Sequence, residues 1–115
     1  MSIRPAIKND LAACEKLALI PEFVTTEGNY VDKKSLENYL DPNYFLVAEN
    51  DNQIIGFAVG EPLKGKGFML LYITIKKGMQ GRGIGKKLLK ELENRCREQS
   101  IRWIELYVPT FNKTQ

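Results

Sequence analysis

The sequence has no histidine, only two cysteines and no apolar run that approaches the length of a membrane span. Each absence removes a kind of chemistry. Without imidazole there is no Ser-His-Asp or Cys-His nucleophile pair. Two thiols do not form a metal cage, and zinc would need carboxylates to complete its ligands, so no metal is expected. A bilayer-spanning helix needs roughly 18 apolar residues. The start of the chain, Met1-Ser2-Ile3-Arg4-Pro5, also lacks the apolar stretch of a secretion signal. The expectation is a cytoplasmic protein whose Cys14 and Cys96 stay reduced.

What is present is an ordinary globular mixture. The 115 residues, 43% hydrophobic and 27% charged, suit a single domain over residues 1–115 and exclude a disordered or fibrous chain. Charge is spread unevenly. Residues 1–62 carry 5 basic and 10 acidic side chains, and residues 63–115 carry 12 basic and 4 acidic. The excess concentrates at Lys76, Lys77, Arg82, Lys86, Lys87 and Lys90. A local positive field attracts a polyanion, phosphate being the usual one. A lysine run is also what a solvated helix face looks like.

Periodicity predicts an α/β chain with a mixed sheet. Ile3–Ile7 reads as a first strand. Asn9 or Asp10 caps a helix through about Ile20, with Leu11, Cys14, Leu17 and Ala18 on one face. Pro21 stops it, and an irregular stretch follows to Asp32. A second helix spans Lys33–Leu40, capped by Asp32 and closed by Asp41-Pro42. Tyr44–Ala48 and Ile54–Val59 form a hairpin around Glu49-Asn50-Asp51-Asn52. The apolar run Phe68–Ile75 suits a central strand buried on both faces. A helix follows from about Gly83 to Gln99, with Ile84, Leu88, Leu92 and Cys96 on one stripe. Trp103–Val108 is a last strand. This order is not a strict β-α alternation, so an antiparallel start with one parallel crossover at the end is expected.

The informative segment joins that apolar strand to the long helix: Ile73-Thr74-Ile75-Lys76-Lys77-Gly78-Met79-Gln80-Gly81-Arg82-Gly83-Ile84-Gly85-Lys86-Lys87. A helix start offers unpaired N–H groups and the positive end of the dipole. Glycines keep Cβ atoms out of the way of an approaching phosphate, and Arg82, Lys86 and Lys87 add charge. A pyrophosphate is the natural ligand. Familiar nucleotide motifs fail on spacing. A dinucleotide G-x-G-x-x-G needs glycine where the chain has Lys86 or Leu88, and a P-loop needs glycine where it has Gln80. Three glycines at alternate positions beside three basic residues favour an anion site over a turn that only eases packing.

The run Gln80-Gly81-Arg82-Gly83-Ile84-Gly85 resembles the Q/R-x-x-G-x-G/A acyl-CoA motif of the GNAT (GCN5-related) N-acetyltransferases, and the element order resembles theirs from the first strand to the fifth. Asn112 falls where that family often has an Asn just past the fifth strand. The resemblance implies the GNAT fold, acetyl-CoA as co-substrate and a primary amine, of a small molecule or a protein, as acceptor. The pyrophosphate would lie on the backbone N–H groups of Gly81–Gly85, with Arg82 and Lys86 nearby. Ile73-Thr74-Ile75 would splay from the last strand at a bulge, leaving the N–H groups of Ile73 and Ile75 for the thioester carbonyl and pantetheine. A fixed N–H stabilises the charge that grows on that carbonyl oxygen. The family reacts by direct attack in a ternary complex, so Cys14 and Cys96 are expected as core thiols.

The attacking amine needs a proton acceptor. Where some family members have a Glu, this chain has Met69 and Tyr107. Glu105 and Glu61 are the base candidates, and Tyr107 a hydrogen-bonding group. The acceptor pocket would draw on residues 23–39, including Phe23, Glu27 and Tyr30. The sequence ends at Gln115, whereas family members continue into a helix and two more strands. That gap leads us to expect an exposed last strand, and hence a homodimer through it or a longer parent chain. A non-catalytic acyl-CoA-binding module of the same fold is the alternative. A nucleic-acid-binding domain is disfavoured, since no aromatic RNA motif or helix-turn-helix pattern is present.

Overall fold

The computed structural model describes residues 1–18 and 33–106. Its centre is the hairpin of β2 (Phe45–Asn50) and β3 (Gln53–Pro62). Asp51 and Asn52 form the two-residue loop with φ of 51° and 64°. Both lie in the left-handed region, which matches the twist of the strands they join and suits Asp and Asn. β1 (Ser2–Pro5) pairs antiparallel with β2, and β4 (Gly67–Ile75) antiparallel with β3. The helix α3 (Ile84–Glu98) then carries the chain back to β5 (Trp103–Leu106), which runs parallel to β4. The sheet order is β1-β2-β3-β4-β5. The mixed sheet with one parallel crossover is thus the one the element order predicts.

Two cores lie on opposite faces of this sheet. On one, α1 (Leu11–Leu17) and α2 (Lys33–Glu37) cover Phe45, Val47, Phe57 and Val59, with Leu11, Cys14 and Leu36 contributed by the helices. On the other, Ile84, Leu88, Leu92 and Cys96 of α3 cover Leu46, Ala48, Ala58, Phe68 and Leu70. Strand residues alternate between faces, so β2 and β3 are buried on both. β4 is not, contrary to the expectation from its apolar run. Met69, Leu71, Tyr72, Ile73 and Ile75 are only partly buried. Tyr72 packs against the α1-side core and Ile73 and Ile75 against the α3-side core, but among the described residues β5 flanks only Gly67–Leu70. β3 is also longer than predicted, since pairing with β4 extends it through Gly60, Glu61 and Pro62.

The helix ends differ from the sequence expectation. A 3₁₀ turn, Lys8–Asp10, precedes α1. Asp10 stands at the cap position of α1, but its side chain accepts no hydrogen bond from that helix. Its carboxylate instead accepts the Ile7 N–H at 2.8 Å and both Arg4 terminal nitrogens at 2.8 and 3.0 Å. Arg4 Nε also donates to Glu49 Oε1 at 3.1 Å, tying β1, β2 and the entry to α1 together. α2 ends at Glu37, short of Leu40, where looser turns take over and Asp41 Oδ1 accepts the Asn43 N–H. The expected cap at Asp32, the helix end at Ile20 and the last two positions of the fifth strand lie outside the described residues.

This clasp has a pH signature. Burial acts to raise the Asp10 pKa, but the Arg4 hydrogen bonds and the Ile7 N–H outweigh it and hold the carboxyl below its ordinary value. A carboxyl lowered by folding stabilises the fold above its unfolded pKa, and that contribution is lost as pH falls through the folded value. Resistance to urea is therefore expected to weaken on acidification below about pH 4. Asp10→Asn is expected to flatten that dependence and to lower stability at neutral pH. An unchanged acid slope in the variant would exclude Asp10 as its source.

Candidate functional site

The loop between β4 and α3 gathers glycines, backbone donors and basic side chains at a helix start. Gly83 is the helix cap, with φ of 78°, and Gly81 has φ of 81°. A side chain is strained in this left-handed region, and glycine is not. A Cβ at either position would meet nothing within 4 Å, so these glycines border open space. The first helical bond runs from the Lys87 N–H to the Gly83 carbonyl at 3.1 Å. The N–H groups of Ile84, Gly85 and Lys86 precede it and have no acceptor within the helix. Among the described residues no side chain caps them, and the first turn holds no acidic residue. Gly85 is helical, its absent Cβ directed at Ile75 Cγ1 4.0 Å away. Ile84 is buried and anchors the helix start to the core. Gln80 and Arg82 are exposed beside the glycines. Lys76, Lys77, Arg82, Lys86, Lys87 and Lys90 are all exposed, and none forms an ion pair with a described carboxylate. The site thus gathers backbone donors, the positive end of a 15-residue helix and unneutralised cations.

β4 leads into this loop and presents specific amides. Ile75 faces Gly56, and the Lys76 N–H donates to the Ile55 carbonyl at 2.7 Å. That pattern makes Ile75–Gly56 a non-hydrogen-bonded pair of the antiparallel ladder. Pairs alternate, so Thr74–Phe57 is hydrogen-bonded and Ile73–Ala58 is not. Ile73 and Ile75 therefore turn their N–H and C=O groups away from β3, toward the side on which β5 pairs. Thr74 is buried, and Ile73 and Ile75 pack into the α3-side core. Among the described residues β5 pairs with Gly67–Leu70. A bulge exists, but it lies against β3. Val59 faces Tyr72 and Gly60 faces Leu70, which leaves Leu71 as the extra residue. A splay from β5 at Ile73 would involve residues past Leu106, outside the described residues.

The base candidates share a row. Glu61 on β3 and Glu105 on β5 both face Met69 on β4. Phe68 and Leu70 point into the α3-side core, so this row points to the opposite face. Both carboxylates are exposed and Met69 is partly buried. The row stands four residues before Ile73, roughly 13 Å along the strand. The Trp103 indole N–H donates to Glu105 Oε2 at 3.1 Å. The Trp103 ring lies over Gly67, where a Cβ would come within 2.6 Å of Nε1. The sequence reading missed Trp103 as the partner of Glu105 and missed Gly60 at the bulge. An isolated glycine in an apolar strand is the signal that could have found the bulge.

Tyr107, Asn112, Phe23, Glu27 and Tyr30 lie outside the described residues. Cys14 and Cys96 are free, buried and on opposite faces of the sheet. Burial pushes the Cys14 thiol up to about 12, with nearby Asp10 adding to the effect. Burial, with Glu93 adding, pushes Cys96 up to about 11. Neither is a thiolate at neutral pH, as core thiols should be. Among the described residues no group of three or more Cys, Asp or Glu could hold a metal, and no helix is long and apolar enough to cross a membrane.

A mixed sheet that feeds a glycine-rich turn and a basic helix start defines an α/β domain with an electropositive helix terminus. Comparison with known proteins then assigns the family. The model described as Acetyltransferase (GNAT) family matches residues 7–114, and the chain belongs to that family. It is 31% identical over 94 residues to the mycothiol acetyltransferase of Streptomyces avermitilis, covering 81% of this chain and 30% of that protein. Ribosomal-protein-alanine N-acetyltransferase from Brucella melitensis superposes with a TM-score of 0.78 at 25% identity, over 99% of this chain and 78% of that one. Diaminobutyrate acetyltransferase from Paenibacillus lautus, whose structure holds L-2,4-diaminobutyric acid and coenzyme A, superposes with a TM-score of 0.80 at 18% identity, over 98% and 68%. The chain spans about a third of the length of the curated relatives it matches.

Proposed function

We propose that this chain binds acetyl-CoA at the start of α3 and transfers its acetyl group to a primary amine by direct attack. The observation that carries this reading is the uncapped α3 N-terminus ringed by open-space glycines and unpaired cations. Its donors would hold the pyrophosphate through Gln80, Gly81, Arg82, Gly83, Ile84, Gly85 and Lys86. The Ile73 and Ile75 amides turn away from β3, where a thioester carbonyl would gain a fixed donor as its oxygen becomes negative. Asn112, past the fifth strand, is part of the same reading. Transfer leaves the chain itself unmodified: the amine nitrogen bonds to the acetyl carbon, the C–S bond breaks, and the thiolate leaves.

α3 covers one face of β4, so the acceptor approaches from the other, where Glu61 and Glu105 flank Met69. The carboxylate missing at Met69 would thus come from the adjacent strands in the same row. Tyr107 would hydrogen-bond the acceptor, and residues 23–39 would line its pocket. A base contributes typically 10²–10⁴-fold, so Glu105→Gln or Glu61→Gln is expected to lower kcat by about 100-fold for whichever takes the proton. Acetylation rates on a panel of mono-, di- and peptide amines decide this. Full activity in both variants would leave proton removal to water. The second reading, an acyl-CoA-binding module without turnover, is favoured by the roughly 13 Å offset of that row from Ile73. Micromolar binding with no product on any amine would select it. The reading also includes a cytoplasmic homodimer paired through β5, one of the two edge strands among the described residues. A monomeric mass by light scattering would remove the dimer.

A further inference from the structure

We propose that Gly60 is the positioning residue that shapes the thioester-facing segment of β4, an inference that rests on the acyl-CoA reading. Gly60 sits opposite Leu70, one step from the point where β4 takes in its extra residue, Leu71. The space where its Cβ would stand is occupied. The Met69 carbonyl oxygen fills it, and two Phe68 ring carbons lie 2.6 Å from it. Neither neighbour can yield cheaply. The first is backbone. The second belongs to a fully buried ring that packs against Tyr44 with ring centroids 5.1 Å apart. β3 cannot retreat either, because the Gly60 N–H donates to the Tyr44 carbonyl at 3.1 Å.

The other interior glycine of β3 differs. A Cβ at Gly56 would meet Ile75 Cδ1 at 2.8 Å, the movable end of a side chain, and the Thr74 carbonyl oxygen at 3.1 Å. A Cβ at Gly60 must instead push the Met69–Leu70 backbone off β3, which closes or moves the bulge. A one-residue slip exchanges the two faces of a strand. Tyr72 and Thr74 would then turn their amides toward β5 in place of Ile73 and Ile75, and both isoleucines would leave the α3-side core. The β4–α3 loop, four residues and more downstream, keeps its own glycines and its helix start.

The effect is therefore selective, and calorimetry with two probes reads it. ADP presents a pyrophosphate without pantetheine; acetyl-CoA presents both. In Gly60→Ala the acetyl-CoA Kd is expected to rise about tenfold, the worth of a hydrogen bond or so, while the ADP Kd stays within about twofold. Phe68→Leu, which leaves Gly60 in place but loosens the ring over it, is expected to give a smaller shift of the same selectivity. It decides the matter if Gly60→Ala does not fold. Equal shifts for both probes, or none in a folded variant, overturn the role of Gly60. A parent chain that binds neither probe overturns the acyl-CoA reading, and this inference with it.

Discussion

Gly83→Glu is expected to abolish measurable acetyl-CoA binding while leaving the fold intact. Gly83 caps α3 at φ of 78°, where a Cβ costs roughly 1–2 kcal/mol. The surrounding space is open, so the new side chain clashes with nothing in the protein. Its carboxylate reaches the mouth of the helix, where it can accept the orphan N–H groups itself. It would thus occupy the donors a pyrophosphate needs and repel the ligand's charge in the same place. A loss of about 100-fold or more in affinity follows if these two effects together exceed roughly 2.7 kcal/mol. Gly83→Ala separates the causes: it carries the backbone strain without the charge and should lose no more than about tenfold. Calorimetry on the three chains decides. Micromolar binding by Gly83→Glu would show that the ligand does not sit on the α3 terminus, and the proposed activity would lose its main support.

The second large effect is on stability. Phe57→Ala is expected to cost about 3–5 kcal/mol, a large share of the roughly 5–15 kcal/mol that holds a domain of this size. Phe57 is fully buried on the central strand, faces Val47 on β2 and Thr74 on β4, and packs against the Phe45 ring with centroids 5.8 Å apart. Strands on both sides and helices over the face leave no room for collapse into the space the ring vacates. A fall in melting temperature on the order of 15 °C is expected, measurable by thermal unfolding followed by circular dichroism. A fall of only a few degrees would mean the α1-side core relaxes around the loss, contrary to its packing. The contrast with Gly83→Glu is informative, because the loop variant should lose ligand at the cost of only a few degrees of melting temperature, from the strain at residue 83.

The acidic row and the bulge show why some of the site escaped the sequence. Residues 61, 69 and 105 are far apart in the chain and meet only through the β3–β4 and β4–β5 registers. A register is a property of paired strands, and a single extra residue such as Leu71 shifts everything beyond it. The same holds for burial. The Phe68–Ile75 run is as apolar as a central strand, yet β3 takes that place because helices cover it from both sides. The Arg4–Asp10–Glu49 clasp likewise joins residues whose separate positions carry no signal of pairing.

The sequence by itself determined what depends on neighbours along the chain. The glycine spacing set the open turn before α3, the 3.6-residue stripe of Ile84, Leu88, Leu92 and Cys96 set the buried face of α3, and the polar run Glu49-Asn50-Asp51-Asn52 set the hairpin, whose loop proper is Asp51-Asn52. These follow from backbone sterics and local periodicity, which act within a few residues. Only the tertiary structure decided which amides of β4 face outward, where β4 takes in its extra residue, and which carboxylates stand together across three strands. Those depend on contacts between distant segments, whose geometry is set by packing the whole sheet at once.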